Sequence, residues 1–238
     1  MSRYFAWGDL HGHHREMMAL YRQLIDHGLD PGRDTLVFLG DYVDSGPATR
    51  EVLTQLITWQ RAFPHWVFLL GNHEEMLLQA RHAWATGDAR TFDRWWYQGG
   101  EATWRSYLPP GQPEPAVNVN PFDAIDPGHL DWIERRPRYY ESDSFIFVHA
   151  GLRPPLGPEA CDPDDLIWIR DEFIYSRHDW GKRVIFGHTP VREPLVMPNK
   201  IGLDTLPRNT GFLTVALLDD ATPDARPRFF TQPAFAES

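Results

Sequence analysis

The stretch Gly71-Asn72-His73-Glu74 puts an amide oxygen, an imidazole and a carboxylate on three successive residues. An Asn oxygen beside a His suits a divalent cation next to a proton donor. Four clusters of the same kind accompany it: Gly8-Asp9-Leu10-His11-Gly12, Gly40-Asp41-Tyr42-Val43-Asp44-Ser45-Gly46, His149-Ala150-Gly151 and Gly187-His188-Thr189. Asp9, His11, Asp41, Asn72, His149 and His188 together offer carboxylate oxygens, imidazole nitrogens and one amide oxygen, with no sulfur. Such donors suit Mn, Fe, Zn, Co or Ni, and Ca less well. They are too many for one ion that must keep an open position. Two ions sharing a bridging carboxylate use them all. A two-ion site clamps the attacking and leaving oxygens of an in-line displacement, which is phosphoester chemistry.

The elements that must position these residues can be read from hydrophobic spacing. Arg3 to Trp7 is a β-type run that delivers Asp9 and His11 at its end, and Met17, Leu20, Tyr21, Leu24 and Ile25 recur at helical spacing. Asp30-Pro31-Gly32 reads as a turn, Thr35 to Leu39 as a second strand ending in Asp41, and Val52, Leu53, Leu56 and Ile57 as a helical stripe. The apolar run Trp66 to Leu70 is a third strand, leading into Asn72 and His73. Three strand–loop–helix units in succession, each with polar groups after its strand, make an α/β pattern with ligands at the carboxyl ends of the strands.

From Glu75 to about Tyr107 the chain reads as helical and aromatic-rich, then comes a Pro-rich loop from Pro109 to Pro121 and a helix from Ile125 to Arg136. We expect a helical cap inserted at about residues 75–136 of one domain spanning 1–238. The second half is richer in strand: Ser144 to Val148, Val184 to Phe186, Ile201 to Leu203, Phe212 to Leu218 and Arg228 to Thr231. Two packed β-sheets flanked by helices, an α/β (α+β) architecture, fit this better than one doubly wound sheet.

A formal net charge of −10 argues against non-specific nucleic-acid binding. It leaves phosphorylated substrates open, because a metal pair reverses the local charge. The single cysteine, Cys161, excludes an intramolecular disulfide and reads as a packing residue. No apolar run reaches transmembrane length, and the Asp9/His11 cluster leaves no room before it for a signal peptide. Neither a nucleic acid nor a membrane is expected as a partner, and the cytoplasm is the expected location.

The five clusters, in order from Gly8 to Thr189, resemble the motifs GDxHG, GDxVDRG, GNHE, HAG and GHT of the calcineurin-like metallophosphoesterases, and within them the phosphoprotein phosphatase superfamily with its bacterial and phage members. Asp165-Leu166-Ile167-Trp168-Ile169-Arg170 and Gly202-Leu203-Asp204-Thr205 are similar to bacterial members as well. The resemblance covers nearly the whole chain. It implies that Asp9 and His11 bind a first metal, that Asp41 bridges, and that Asn72, His149 and His188 bind a second, with Mn expected first. It implies a hydroxide between the metals as nucleophile, His73 as the acid that protonates the leaving oxygen, and Asp44 as the support of its imidazole.

Two departures bear on substrate binding. Ser45 stands where family members usually carry a phosphate-binding arginine, and Leu206-Pro207-Arg208-Asn209 intervenes before Gly211. Arg170 is therefore expected to carry the phosphate clamp, with Arg208 supplying part of the missing charge, and Ser45 reads as a helix-entry residue before Pro47. His13 and His14 read as solvated helix-start residues, His27, His65, His82, His129 and His178 as surface, and Glu74 as a support of its turn. The first functional reading is a serine/threonine-type phosphomonoesterase acting on a phosphorylated protein or a small phosphoester. The alternative is a dinucleoside polyphosphate hydrolase of the diadenosine tetraphosphate type. Asp44 and Glu74 favour the first. A non-catalytic binding module is the third, and the intact ligand set argues against it.

Overall fold

The computed structural model of the chain describes residues 2–109, 119–205 and 211–235. In chain order the first half holds β1 (Arg3–Trp7), α1 (His14–Asp26), β2 (Thr35–Phe38), α2 (Thr49–Ala62), β3 (Val67–Phe68) and α3 (Asn72–Thr86). Next come α4 (Ala89–Trp95), a kinked turn at Trp96–Gly100 in which Gly99 takes a φ of 115°, α5 (Glu101–Ser106), a short 3-10 turn at Pro121–Asp123 and α6 (Pro127–Glu134). The second half holds β4 (Tyr139–Glu141), β5 (Phe145–Val148), α7 (Asp165–Trp168), α8 (Asp171–Ile174), β6 (Arg183–Phe186), β7 (Leu195–Val196), β8 (Lys200–Gly202), β9 (Phe212–Asp219) and β10 (Arg228–Pro233).

Two mixed sheets result. One runs β10-β9-β1-β2-β3, with β1, β2 and β3 parallel and β9 and β10 antiparallel. The other runs β4-β5-β6-β8-β7, with β5, β6 and β8 parallel between antiparallel edges. Side chains alternate across each strand, and both faces are covered. In β1, Tyr4 and Ala6 enter the layer between the sheets, where they meet Phe145, Phe147, Ile185 and Ile201. Phe5 and Trp7 face the helices instead, among Met17, Leu20, Val52 and Leu56. Ile146, Val148, Val184 and Phe186 pack outward against Leu166, Ile167 and Phe173. Burial on both faces is why these strands read in the sequence as unbroken apolar runs.

Some elements differ from the sequence reading. The third strand is only two residues long, and just past it the Leu70 N–H donates to the Pro137 carbonyl at 2.8 Å. β4 and β7 have no counterpart in the hydrophobic spacing, because short, half-exposed edge strands carry no periodicity. The aromatics Trp95, Trp104, Tyr107 and Phe122 are buried, and Trp95, Tyr107 and Phe122 join the same core as Trp7 and Phe38. His13 and His129, expected at the surface, are buried. His129 is taken in because the Tyr107 hydroxyl at 2.6 Å satisfies its ring. Among the described residues no helix is long and apolar enough to cross a membrane.

Candidate metal centre

The chemistry-bearing side chains collect at the carboxyl ends of β1, β2, β5 and β6 and on the first turn of α3. Their loops are strained. His11, Asp41, Asp44 and His188 all adopt positive φ, at 41°, 51°, 70° and 61°. Residues with a Cβ seldom do so, and such conformations persist where surrounding contacts over-determine them. Those contacts are visible. The N–H groups of Leu10 and His11 both donate to the Asp41 carbonyl, at 2.9 and 2.8 Å, which joins the first two loops. The Glu74 carboxylate accepts the N–H groups of Asp41, Tyr42, Val43 and Gly71 at 2.7–3.1 Å, which joins the second loop to the start of α3. The turn-supporting role read for Glu74 is thus a bond to two motifs at once. At Gly71 a Cβ would collide with Asp41 Oδ1, so only glycine allows this approach.

At the centre, acceptors face one another. His149 Nδ1 is 2.9 Å from the Leu39 carbonyl, so this nitrogen carries the hydrogen. Complete burial holds the imidazole below its ordinary pKa, hence neutral, and Nε2 is left with a lone pair. That lone pair points at Asn72 Oδ1, 2.8 Å away, and at Asp41 Oδ1, 3.4 Å away. His188 Nδ1 lies 2.7 Å from the same Asn72 oxygen. His11 repeats the arrangement: Nδ1 meets the Val43 carbonyl at 2.9 Å, and Nε2 faces Asp41 Oδ2 at 3.6 Å. Two triplets, His11/Asp41/His73 and Asp41/His149/His188, bring their ligand atoms within 4.8 Å of one another, and Asp41 belongs to both. Converging lone pairs in a buried place repel unless a cation lies between them. The donor set therefore fits two divalent ions that share Asp41.

The electrostatics follow the same geometry. Burial raises the Asp41 carboxyl, but His149, His73, His11 and His188 outweigh it and hold the group below its usual range. Burial, then Asp204 and Asp41, push Asp9 well above its usual value. Burial drives His188 down, with His149 and Arg170 adding to the effect. Asp9 belongs to neither triplet among the described residues; its carboxylate accepts the His188 N–H at 3.1 Å.

Beside the triplets, His73 Nδ1 is 2.8 Å from Asp44 Oδ2. Burial opposes the charged imidazole, but Asp41 and the bond to Asp44 push its pKa up to about 9. The other Asp44 oxygen takes two further bonds that the sequence did not disclose: the Trp95 indole N–H at 3.1 Å and the Thr103 hydroxyl at 2.8 Å. The Ser45 N–H donates to the Gly99 carbonyl at 3.1 Å, so the kink between α4 and α5 holds this loop too. No local signal marks Trp95 or Thr103, since their partner lies 51 and 59 residues earlier. Ser45 does not cap α2: the cap is Ala48, and Ser45 has a φ of 68°. Arg170 is exposed, just before α8, and near enough for its charge to act on His188. Arg208 lies outside the described residues.

Comparisons agree with this geometry. The sequence model described as calcineurin-like phosphoesterase matches residues 3–202. An asymmetrical bis(5'-nucleosyl)-tetraphosphatase from Geobacillus sp. is 29% identical over 227 residues, covering 83% of each chain. A serine/threonine-protein phosphatase 1 from Salmonella typhimurium is 29% identical over 220 residues, covering 88% of each chain. Among solved structures, a candidate diadenosine tetraphosphatase superposes with a TM-score of 0.69 at 20% identity, over 99% of this chain and 95% of the other, a likeness of fold. With the family match running from the first strand through β8, this chain belongs to the calcineurin-like phosphoesterases.

Proposed function

We propose that this phosphoester hydrolase works through two divalent cations, Mn first, held by Asp9, His11, Asp41, Asn72, His149 and His188, with His73 as general acid. When bound, the cations supply charge stabilisation at the phosphoryl oxygens and a nucleophile at neutral pH. Asp41 is the shared ligand because its two carboxylate oxygens face different histidines. His73 gives its Nε2 proton to the leaving oxygen. Its Nδ1 is held by Asp44, which fixes the ring orientation and favours the protonated form. Asp44 is kept in place by Trp95 and Thr103. Arg170 binds the reacting phosphoryl from the rim, as a planar guanidinium suits phosphate oxygens. The observation that carries this reading is the His73–Asp44 pair at 2.8 Å beside a centre of converging lone pairs.

For the substrate, the reading we place first is a dinucleoside polyphosphate. The Geobacillus tetraphosphatase, alike over most of both chains, supports it. So does the lack of charge at Ser45, which shifts phosphate recognition to other residues. The second reading is a serine/threonine-type phosphomonoester, favoured by Asp44 in its motif and by the Salmonella phosphatase. The test is metal-stripped protein, refilled with Mn and assayed with diadenosine tetraphosphate, a phosphoserine peptide and p-nitrophenyl phosphate. The expected result is metal-dependent turnover with the highest kcat/KM on the tetraphosphate. A higher value on the phosphopeptide would replace the first reading by the second. No turnover of any of the three would overturn the proposal.

A further inference from the structure

The end of α4 touches the site twice. Trp95 turns toward one side, where its indole donates to Asp44. Arg94, one residue earlier, reaches the other side. Its guanidinium carbon lies 4.7 Å from the centroid of the Trp168 ring, and that ring meets His188 at 5.9 Å and 88°. Successive helical side chains point about 100° apart, so a single turn supplies both contacts. Arg94 is exposed, and no carboxylate pairs with it among the described residues. Arg105 on α5, by contrast, is taken up by Glu101 at 2.7 Å.

A guanidinium stacked on an indole keeps its N–H edge free, and that edge matches phosphate oxygens. Arg94 stands one aromatic ring removed from His188. At that remove its guanidinium suits an anionic group attached to the reacting phosphoryl rather than the phosphoryl itself.

We propose that Arg94, stacked on Trp168, is a substrate-binding residue that takes the phosphate adjoining the reacting phosphoryl in a polyphosphate chain. This rests on the phosphoesterase reading above. Helix α4 then serves the site twice, since Trp95 positions the acid through Asp44 while Arg94 selects the substrate.

The test separates binding from turnover. Mn-refilled parent, Arg94→Ala, Arg94→Lys and Arg105→Ala proteins are titrated calorimetrically with an ATP analogue carrying methylene groups in place of its bridging oxygens. Arg94→Ala should weaken binding about tenfold, the scale of one lost charge-assisted phosphate contact. Arg94→Lys should recover part of that, and Arg105→Ala should bind like the parent. In turnover, Arg94→Ala should raise KM for diadenosine tetraphosphate more than for p-nitrophenyl phosphate, with the smaller change in kcat. Equal affinity of parent and Arg94→Ala for the analogue, or no binding by the parent, would overturn the inference. So would a loss confined to a phosphoserine peptide, which would make Arg94 a reader of peptide substrates. If the parent hydrolyses no phosphoester, the functional reading fails while the titration still reports on Arg94.

Discussion

Strand β8 has buried charge at both of its ends, and the two are settled in opposite ways. At its start, the Lys200 ammonium donates to the carbonyls of Phe173, Ile174 and Ser176 and lies 4.2 Å from the centroid of the Phe173 ring. Burial lowers it to about 8, but its three N–H groups meet three backbone acceptors at and just past the end of α8. Just past the other end, Asp204 weighs on Asp9, and beyond them Asp41, Asn72 and His149 aim lone pairs at one another. One end is complete within the chain; the other is the centre we propose to be completed by cations. Buried charge alone does not mark a functional site. A mismatch between donors and acceptors does, and it also outranks cavity size: the roughly 840 Å³ hollow lined by Arg177, Lys182, Arg183 and Asn199 lies toward the Lys200 end.

The largest effect that would break this contrast comes from the shared carboxylate. Asp41→Asn should lose both ions, reducing metal affinity by at least about 100-fold, and turnover should fall further than in any other single variant. Saturating Mn at 100 times its Kd should stabilise the parent by about 2.7 kcal/mol and this variant by far less. Elemental analysis showing one ion retained at full occupancy would remove the sharing.

His73→Asn should keep the metal content and lower kcat by roughly 10²–10⁴-fold. The loss should shrink for p-nitrophenyl phosphate, whose leaving group needs little protonation. Equal losses for alkyl and nitrophenyl esters would assign His73 another role. A smaller effect is expected one contact further out. Trp95→Phe removes one bond to Asp44 while Thr103 keeps the other, so kcat should drop about tenfold with KM little changed. Trp95→Phe should also share its leaving-group dependence with His73→Asn; a pure KM effect would detach Trp95 from the acid.

The smallest effect on activity belongs to the complete end. Lys200→Met should destabilise the fold by about 1–3 kcal/mol by removing three charge-assisted hydrogen bonds and leaving the Ile174 carbonyl without its donor, with kcat/KM and Mn uptake within about twofold of the parent. A comparable loss of metal binding would mean that the two ends of β8 are coupled.

How much of this was legible in the sequence depended on distance along the chain. Asp9, Asp41, Asn72, His149 and His188 each follow an apolar strand closely, and a local motif reports where a strand ends. The two-sheet arrangement could be read because its central strands are buried on both faces. The partners of Asp44 could not: Trp95 and Thr103 belong to a helical segment whose aromatics look like ordinary core, and most of them are. Buried His129 was misread for the same reason, since its neighbour Tyr107 is brought to it only by the fold. Arg94 carried no signal at all, because an exposed arginine on a helix acquires meaning only from Trp168, which comes 74 residues later in the numbering of the chain.

The Glu74 carboxylate, with its four backbone N–H bonds across two loops, has a consequence for how quickly the centre refills. Because these bonds need no cation, stripping the metals leaves the cradle already shaped. The amides of Asp41, Tyr42, Val43 and Gly71 should resist hydrogen exchange in the stripped protein, and reloading should need no slow ordering step. A cradle built this way would survive repeated loss and return of the proposed ions without unfolding.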